Sequence, residues 1–217
     1  LTGLLTVAAG TVNPSRVTAD AEVSLRVPGF TVIGEYNSRV WAVTWTLLGC
    51  TWRSMGDAPL AESYVVQGTD GDDTIRVLQV PVLWCSRVLQ PVTQNGNAIK
   101  VSGGEGNDVI YRGGSAPFSG NPNAIFGDEG DDTLYAGPGG ARAEGGPGND
   151  IVYGGDSPGD ELYGGPGNDV LCEAAEIEPL VQDGGDDEDV SCSTVAANAY
   201  VSVERVDCAL LGQDQDR

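Results

Sequence analysis

The chain has 217 residues, enough for one domain with a sizeable core or for two small ones. Its 11 Lys and Arg against 32 Asp and Glu leave a net charge of −21, which repels phosphate backbones and anionic lipid and argues against nucleic-acid or membrane-surface partners. Histidine is absent, which removes Ser-His-Asp and Cys-His nucleophile systems and His-ligated zinc, and 32 glycines with 6% aromatics describe a turn-rich chain rather than an ordinary enzyme.

At the start, Leu1-Thr-Gly-Leu-Leu-Thr-Val-Ala-Ala9 reads as the remnant of an apolar signal core, with Ala19-Asp20-Ala21 as a cleavage-like site. No run approaches the ~20 apolar residues needed to span a bilayer, so no membrane insertion is expected. Val17 to Val27 alternates without error: Val17, Ala19, Ala21, Val23, Leu25 and Val27 face one way, the pattern of a half-buried strand. Pro28-Gly29 and Asn37-Ser38 supply turns. Val40-Trp-Ala-Val-Thr-Trp-Thr-Leu-Leu48 is more uniformly apolar, as in a strand covered on both faces. Residues 1–67 are therefore expected to form an N-terminal β cap or sandwich, or an assembly region through which copies of the chain join.

From Gly68 onward the chain becomes periodic in glycine and aspartate. Aligned on Gly-Gly-x-Gly-x-Asp-x-U-x, with U a large apolar residue, three segments fit every fixed position: Gly103-Gly-Glu-Gly-Asn-Asp-Val-Ile-Tyr111, Gly145-Gly-Pro-Gly-Asn-Asp-Ile-Val-Tyr153 and Gly164-Gly-Pro-Gly-Asn-Asp-Val-Leu-Cys172. Gly127-Asp-Glu-Gly-Asp-Asp-Thr-Leu-Tyr135 and Gly68-Thr-Asp-Gly-Asp-Asp-Thr-Ile-Arg76 miss only the second glycine. Degenerate copies ending Asn97-Ala-Ile-Lys100, Asn123-Ala-Ile-Phe126, Ala141-Arg-Ala-Glu144 and Asp160-Glu-Leu-Tyr163 lie between them. A flexible acidic linker has no reason to place an aliphatic residue two positions after each aspartate.

These nonapeptides resemble the hemolysin-type, or RTX, calcium-binding repeats, over residues 68–192. The resemblance implies an all-β fold, a parallel β-roll in which two nonapeptides make one coil, with strands about three residues wide. It also implies calcium, an ion that prefers hard carbonyl and carboxylate oxygens. Carried over position by position, the metal-binding residues would be Gly103, Gly104, Gly106 and Asp108; Gly127, Asp128, Gly130 and Asp132; Gly145, Gly146, Gly148 and Asp150; Gly164, Gly165, Gly167 and Asp169; and Asp73.

The spacings follow the implied coil. Asp132 to Asp150 is 18 residues, Asp150 to Asp169 is 19, and Asp108 to Asp132 is 24 because of a lengthened copy around Ser115–Gly120. The good copies thus fall on one edge, giving about three ions between Asp108, Asp132, Asp150 and Asp169. A fourth is expected if the Asp73 coil, which carries an excursion over 77–96, also pairs with Asp108. The opposite edge, with Asn123, Ala141 and Asp160 at the ligand position, is expected to be structural, so Asp160→Ala should matter less than Asp150→Ala. Tyr111, Tyr135, Tyr153 and Cys172 share one outward column, either as cross-strand packing or as a stacking platform for a sugar or partner.

Five cysteines without a CxxC pair point to disulfides and an oxidising compartment. Gly184-Gly-Asp-Asp-Glu-Asp-Val-Ser-Cys192 reads as a decayed repeat one coil beyond Cys172, which favours a Cys172–Cys192 bridge, stacked strands being ~4.7–4.9 Å apart. Cys50 with Cys85 is the next choice; Cys192 with Cys208 is an alternative. Residues 193–217 read as a C-terminal cap and polar tail. Three functions remain open: a secreted or cell-surface calcium-stabilised structural or adhesive protein, a self-associating subunit of an extracellular fibre or surface layer, and the calcium-binding part of a secreted hydrolase.

Overall fold

The computed structural model describes residues 28–57, 63–78, 82–90, 98–112, 123–137, 140–155, 159–173, 181–192, 199–201, 203 and 205–206. Among them every regular element is a strand. An N-terminal group comprises β1 (Phe30–Tyr36), β2 (Arg39–Thr46) and β3 (Gly49–Asp57). Then come β4 (Ser63–Gln67), β5 (Thr74–Val77), β6 (Val82–Trp84), β7 (Arg87–Leu89), β8 (Ala98–Glu105), β9 (Val109–Tyr111), β10 (Asn123–Glu129) and β11 (Thr133–Tyr135). The remainder are β12 (Ala141–Glu144), β13 (Ile151–Tyr153), β14 (Glu161–Pro166), β15 (Val170–Cys172), β16 (Val181–Asp186), β17 (Val190–Ser191), β18 (Ala199–Val201) and β19 (Arg205–Val206). Val17–Val27, Ser115–Gly120 and Cys208 lie outside the described residues.

From β4 on, consecutive repeats alternate between two sheets. One sheet runs β4-β8-β10-β12-β14-β16-β18 and the other continues β5-β9-β11-β13-β15-β17-β19. The pairings within both series are parallel. The protein is a parallel β-roll, as the repeat pattern implies. Because side chains alternate across a strand, each repeat sends its single U residue inward. Ile75, Ile110, Leu134, Val152 and Leu171 from one sheet meet Val66, Val101, Ile125, Ala143 and Leu162 from the other, and all are 2% exposed or less. At the next coil the core turns polar: Gln182 and Ser191 are fully buried and hydrogen-bonded to each other.

Two expectations about this region need correction. The strands of the second sheet are short, mostly three residues, but in the first sheet β8 has eight residues and β10 seven. They run on through the glycine–glycine positions, which remain extended enough to keep pairing, as in Asp128↔Gly104 and Gly165↔Gly185. The parallel strands also reach Ser63 before the first Gly-Asp copy and Val206 after the last, where no glycine signature marks them.

The N-terminal group is not a separate sandwich. β1 pairs parallel with β5, β2 pairs antiparallel with β1 and β3 with β2, so the second sheet simply grows to ten strands. Asn37 and Ser38 close β1–β2 as a two-residue turn with φ of 51° and 59°. β2 is covered on both faces. Val40 belongs to the roll's core, while Trp41, Val43 and Trp45 join a second cluster with Phe30, Leu78, Trp84 and Leu89. The apolar run does not stay in the strand to its end: Leu47 and Leu48 form the β2–β3 turn and are 88% and 101% exposed.

The cover over that second cluster is the β6–β7 hairpin within the excursion. It folds back onto β1, where Glu35 and Gln90 exchange backbone hydrogen bonds of 2.8 Å. A Cys50–Cys85 disulfide, Cα atoms 6.3 Å apart, ties it to β3. The second disulfide joins Cys172 to Cys192, on adjacent coils with Cα atoms 4.6 Å apart.

Candidate metal centre

The aspartates of the good repeats stack in one row along an edge of the roll. Each repeat's sharp turn puts its Asp just before a strand of the second sheet, and parallel pairing then sets successive Asp residues one above another. The backbone N–H of Asp73 donates to Asp108 Oδ1 at 2.7 Å, that of Asp108 to Asp132 Oδ1 at 2.7 Å, and that of Asp132 to Asp150 Oδ1 at 2.8 Å. Asp150 and Asp169 continue the row with donations to Asp169 and Asp189 at 2.7 and 2.8 Å. An outer row of the preceding residues runs parallel to it, Asp72, Asn107, Asp131, Asn149 and Asn168 each accepting from the backbone of the next coil at 2.8–3.1 Å.

One oxygen per carboxylate is thus spoken for. The other, Oδ2 of Asp108, Asp132, Asp150 and Asp169, is buried and accepts no hydrogen bond. Each of these atoms points over the first glycine of its own repeat. A Cβ built on Gly103 would lie 2.0 Å from Asp108 Oδ2 and 2.5 Å from the Gly127 carbonyl oxygen. On Gly127 it would lie 2.1 Å from Asp132 Oδ2 and 2.5 Å from the Gly145 oxygen. On Gly164 the distances are 2.2 Å to Asp169 Oδ2 and 2.3 Å to the Gly184 oxygen, and on Gly145 the Asp150 Oδ2 is again 2.2 Å away. The first glycine is therefore required for space: its missing side chain leaves a cradle where a carboxylate oxygen and a carbonyl oxygen of the next coil converge.

Glycine's conformational freedom matters at the fourth position. Gly167 has φ of +138°, and a Cβ there would stand 1.7 Å from the Gly148 oxygen. Among the described residues of the repeats, two non-glycines hold positive φ: Asp128 (76°), at a second-glycine position, and Asp187 (83°), at a fourth.

Burial pushes these carboxyls well above the ordinary value of 3.8: Asp132 to about 6, Asp108 and Asp169 to about 7, and Asp150 to about 8, with neighbouring aspartates adding to the rise. At the ~4.8 Å spacing of paired strands and an effective dielectric of about 20, adjacent carboxylates repel by about 3 kcal/mol. That exceeds the ~1 kcal/mol net worth of the hydrogen bond linking them. An ionised row needs a cation. The donor set, carboxylate and carbonyl oxygens without thiols or imidazoles, suits a hard ion such as calcium. Among the described residues no three His, Cys, Asp or Glu side chains converge, so main-chain oxygens must make up the coordination.

The geometry differs from the expected sites at both ends. Asp73 does join the row, but its Oδ2 accepts from the Thr69 N–H at 2.6 Å and the Thr69 hydroxyl at 2.8 Å, so the first coil supplies its own donors. At the other end Gly184 and Asp189 complete a cradle with Asp169. The sequence marks Gly184–Cys192 as a decayed repeat but not as a site, because Asp187 replaces the fourth glycine. The tyrosine column also resolves: Tyr111, Tyr135 and Tyr153 stack face to face, centroids 4.6 and 4.8 Å apart and planes within 8°, and Tyr111 is 8% exposed. The facing sides of the rings are taken up by each other, which is cross-strand packing.

Fold and edge together define a two-sheet β-roll with a carboxylate–carbonyl row at its turns. Residues 100–116, 122–141, 137–157 and 159–172 match the family model of the RTX calcium-binding nonapeptide repeat, in four copies, and this stretch of the chain is a run of such repeats. Calcium is the ion these repeats bind. No curated protein and no solved structure matches the chain.

Proposed function

We propose that this protein is a calcium-stabilised structural or adhesive β-roll of the extracellular space or cell surface, without a catalytic role. Four ions would sit in the cradles over Gly103, Gly127, Gly145 and Gly164. Asp108, Asp132, Asp150 and Asp169 supply carboxylate oxygens there, and the glycines around them, with the Gly184 carbonyl at the last coil, supply main-chain oxygens. Bound calcium contributes charge neutralisation: it offsets the mutual repulsion of the row, and its binding free energy becomes folding free energy. The single observation behind this reading is the series of buried, hydrogen-bond-free Oδ2 atoms, each facing a glycine cradle. Two disulfides support an oxidising, extracellular setting.

A calorimetric calcium titration tests it, with circular dichroism and size analysis in calcium and in chelator. About four ions and a large chelator-induced loss of β signal are expected above about pH 8, where the row is ionised; unchanged β content in chelator at that pH would make the metal incidental. A second reading, a fibre or surface-layer subunit, draws on the exposed Leu47–Leu48 tip and on Val65, 57% exposed on the edge strand β4. Strand addition at such an edge is a known route of assembly. Concentration-dependent growth in mass would favour it.

A further inference from the structure

The opposite edge of the roll has a buried charge cluster of its own. Arg112, Ala136, Gly154 and Glu173 follow the second-sheet strands of four successive coils and stack in one column, linked by the bonds Arg112 N–H to Tyr135 O, Ala136 N–H to Tyr153 O and Gly154 N–H to Cys172 O. The two middle residues are small, and the two outer side chains turn inward over them. Arg112 Nη1 donates to the Ala136 carbonyl at 2.6 Å, one coil on. From the other side the Glu173 carboxylate reaches back one coil, its Oε2 lying 1.8 Å from where a Gly154 Cβ would be. Between them is Asp160, accepting from Ala141 N–H through Oδ1 and from Gly155 N–H through Oδ2, each at 2.7 Å. Arg112, Asp160 and Glu173 are all 2% exposed or less.

This arrangement resembles the first edge but differs in its oxygen donors and in its cation. A glycine cradle, an aspartate accepting the preceding coil's N–H, and a second oxygen donor are all present, but Asp160 has both oxygens hydrogen-bonded, the second donor is the Glu173 side chain and the cation is part of the chain. We infer that Arg112 is the resident cation of the second edge, its guanidinium doing for Asp160 and Glu173 what calcium does for the first row, so that this edge carries no metal. The inference rests on the reading of the first edge as a calcium row. The electrostatics agree with it: Arg112 and Asp160 each favour the other's charged form against the burial that opposes it, and the Asp160–Glu173 side-chain hydrogen bond has the two carboxyls share one proton, so a single guanidinium balances the pair.

The test is to remove the cation and count ions. In Arg112→Ser, native mass spectrometry and calorimetry at saturating calcium should find one ion more than in wild type, because two buried carboxyl groups in a glycine cradle then face a vacated cationic position and the ion displaces their shared proton. Its melting temperature should also depend more steeply on calcium than wild type's. Arg112→Lys, which keeps a cation, should retain the wild-type ion count. Adding Asp160→Asn and Glu173→Gln to Arg112→Ser should abolish the extra ion. An unchanged count in Arg112→Ser, an extra ion that survives the triple substitution, or failure of Arg112→Ser to fold at any calcium concentration would each overturn the inference. If wild type itself bound no calcium, the first-edge reading would fail instead, and the difference between the proteins would still report on Arg112.

Discussion

Asp150 holds two jobs that a single substitution can separate. Its Oδ1 accepts the Asp132 N–H, and its Oδ2 faces the Gly145 cradle. Asp150→Asn keeps the oxygen that accepts the N–H but not the charge, so it should bind fewer ions while melting in chelator no lower than wild type. Asp150→Ala loses both and strands a buried N–H, a further cost of about 1–3 kcal/mol readable from denaturant melts in calcium. The repeat pattern alone predicts that Asp160→Ala matters less than Asp150→Ala. With two buried N–H groups and Arg112 depending on Asp160, we now expect it to destabilise the calcium-loaded protein at least as much as Asp150→Ala. Much of the first-edge row was legible residue by residue, because a Gly-Asp-U register at fixed spacing has one geometric meaning. The Arg112 cluster was not. Its members are 48 and 61 residues from Arg112 in the chain and obey no repeat; only stacking of coils brings them together.

At the scale of elements, the C-terminal coils depend on a covalent tie. β15 and β17 pair over only two residues, Val170↔Val190 and Leu171↔Ser191, and the core there is the polar Gln182–Ser191 contact rather than an aliphatic one. The Cys172–Cys192 bridge closes a loop with sequence separation 20, which on chain-entropy grounds contributes about 3 kcal/mol. Cys172→Ser with Cys192→Ser should therefore free the coils beyond β15 first, seen as early amide exchange over 181–192 while β9, β11 and β13 remain protected. The parallel strands of the central repeats could be anticipated from the period, as could the two-residue turn at Asn37-Ser38. What the period could not supply was the run of β4 and of β18–β19, whose sequences carry no glycine signature and are strands because a neighbouring coil offers them a pairing edge. Nor could it place Leu47 and Leu48 in a turn, since hydropathy alone continues β2 through them.

For the whole molecule, the −21 charge and the raised aspartate pKa values give opposite pH dependences with and without calcium. In the metal-free roll the carboxyls titrate near 6–8 when folded against 3.8 when exposed, so the folded state binds more protons between these values. Their contribution is fully present below pH ~3.8 and is lost as pH rises through about 6 to 8. Calcium requires the deprotonated row, so its affinity should rise over that same interval and level off above about pH 8. Melting temperatures measured from pH 5 to 9 should fall with pH in chelator and rise with pH in calcium; parallel curves would contradict this account. The stacked tyrosines have a consequence of another kind. Rings held parallel at 4.6 and 4.8 Å couple their electronic transitions, and the three of them lie on the coils of Asp108, Asp132 and Asp150. The near-ultraviolet circular dichroism of this protein should therefore contain an exciton signal whose strength follows the pitch of those three coils, an intrinsic optical gauge that needs no added label.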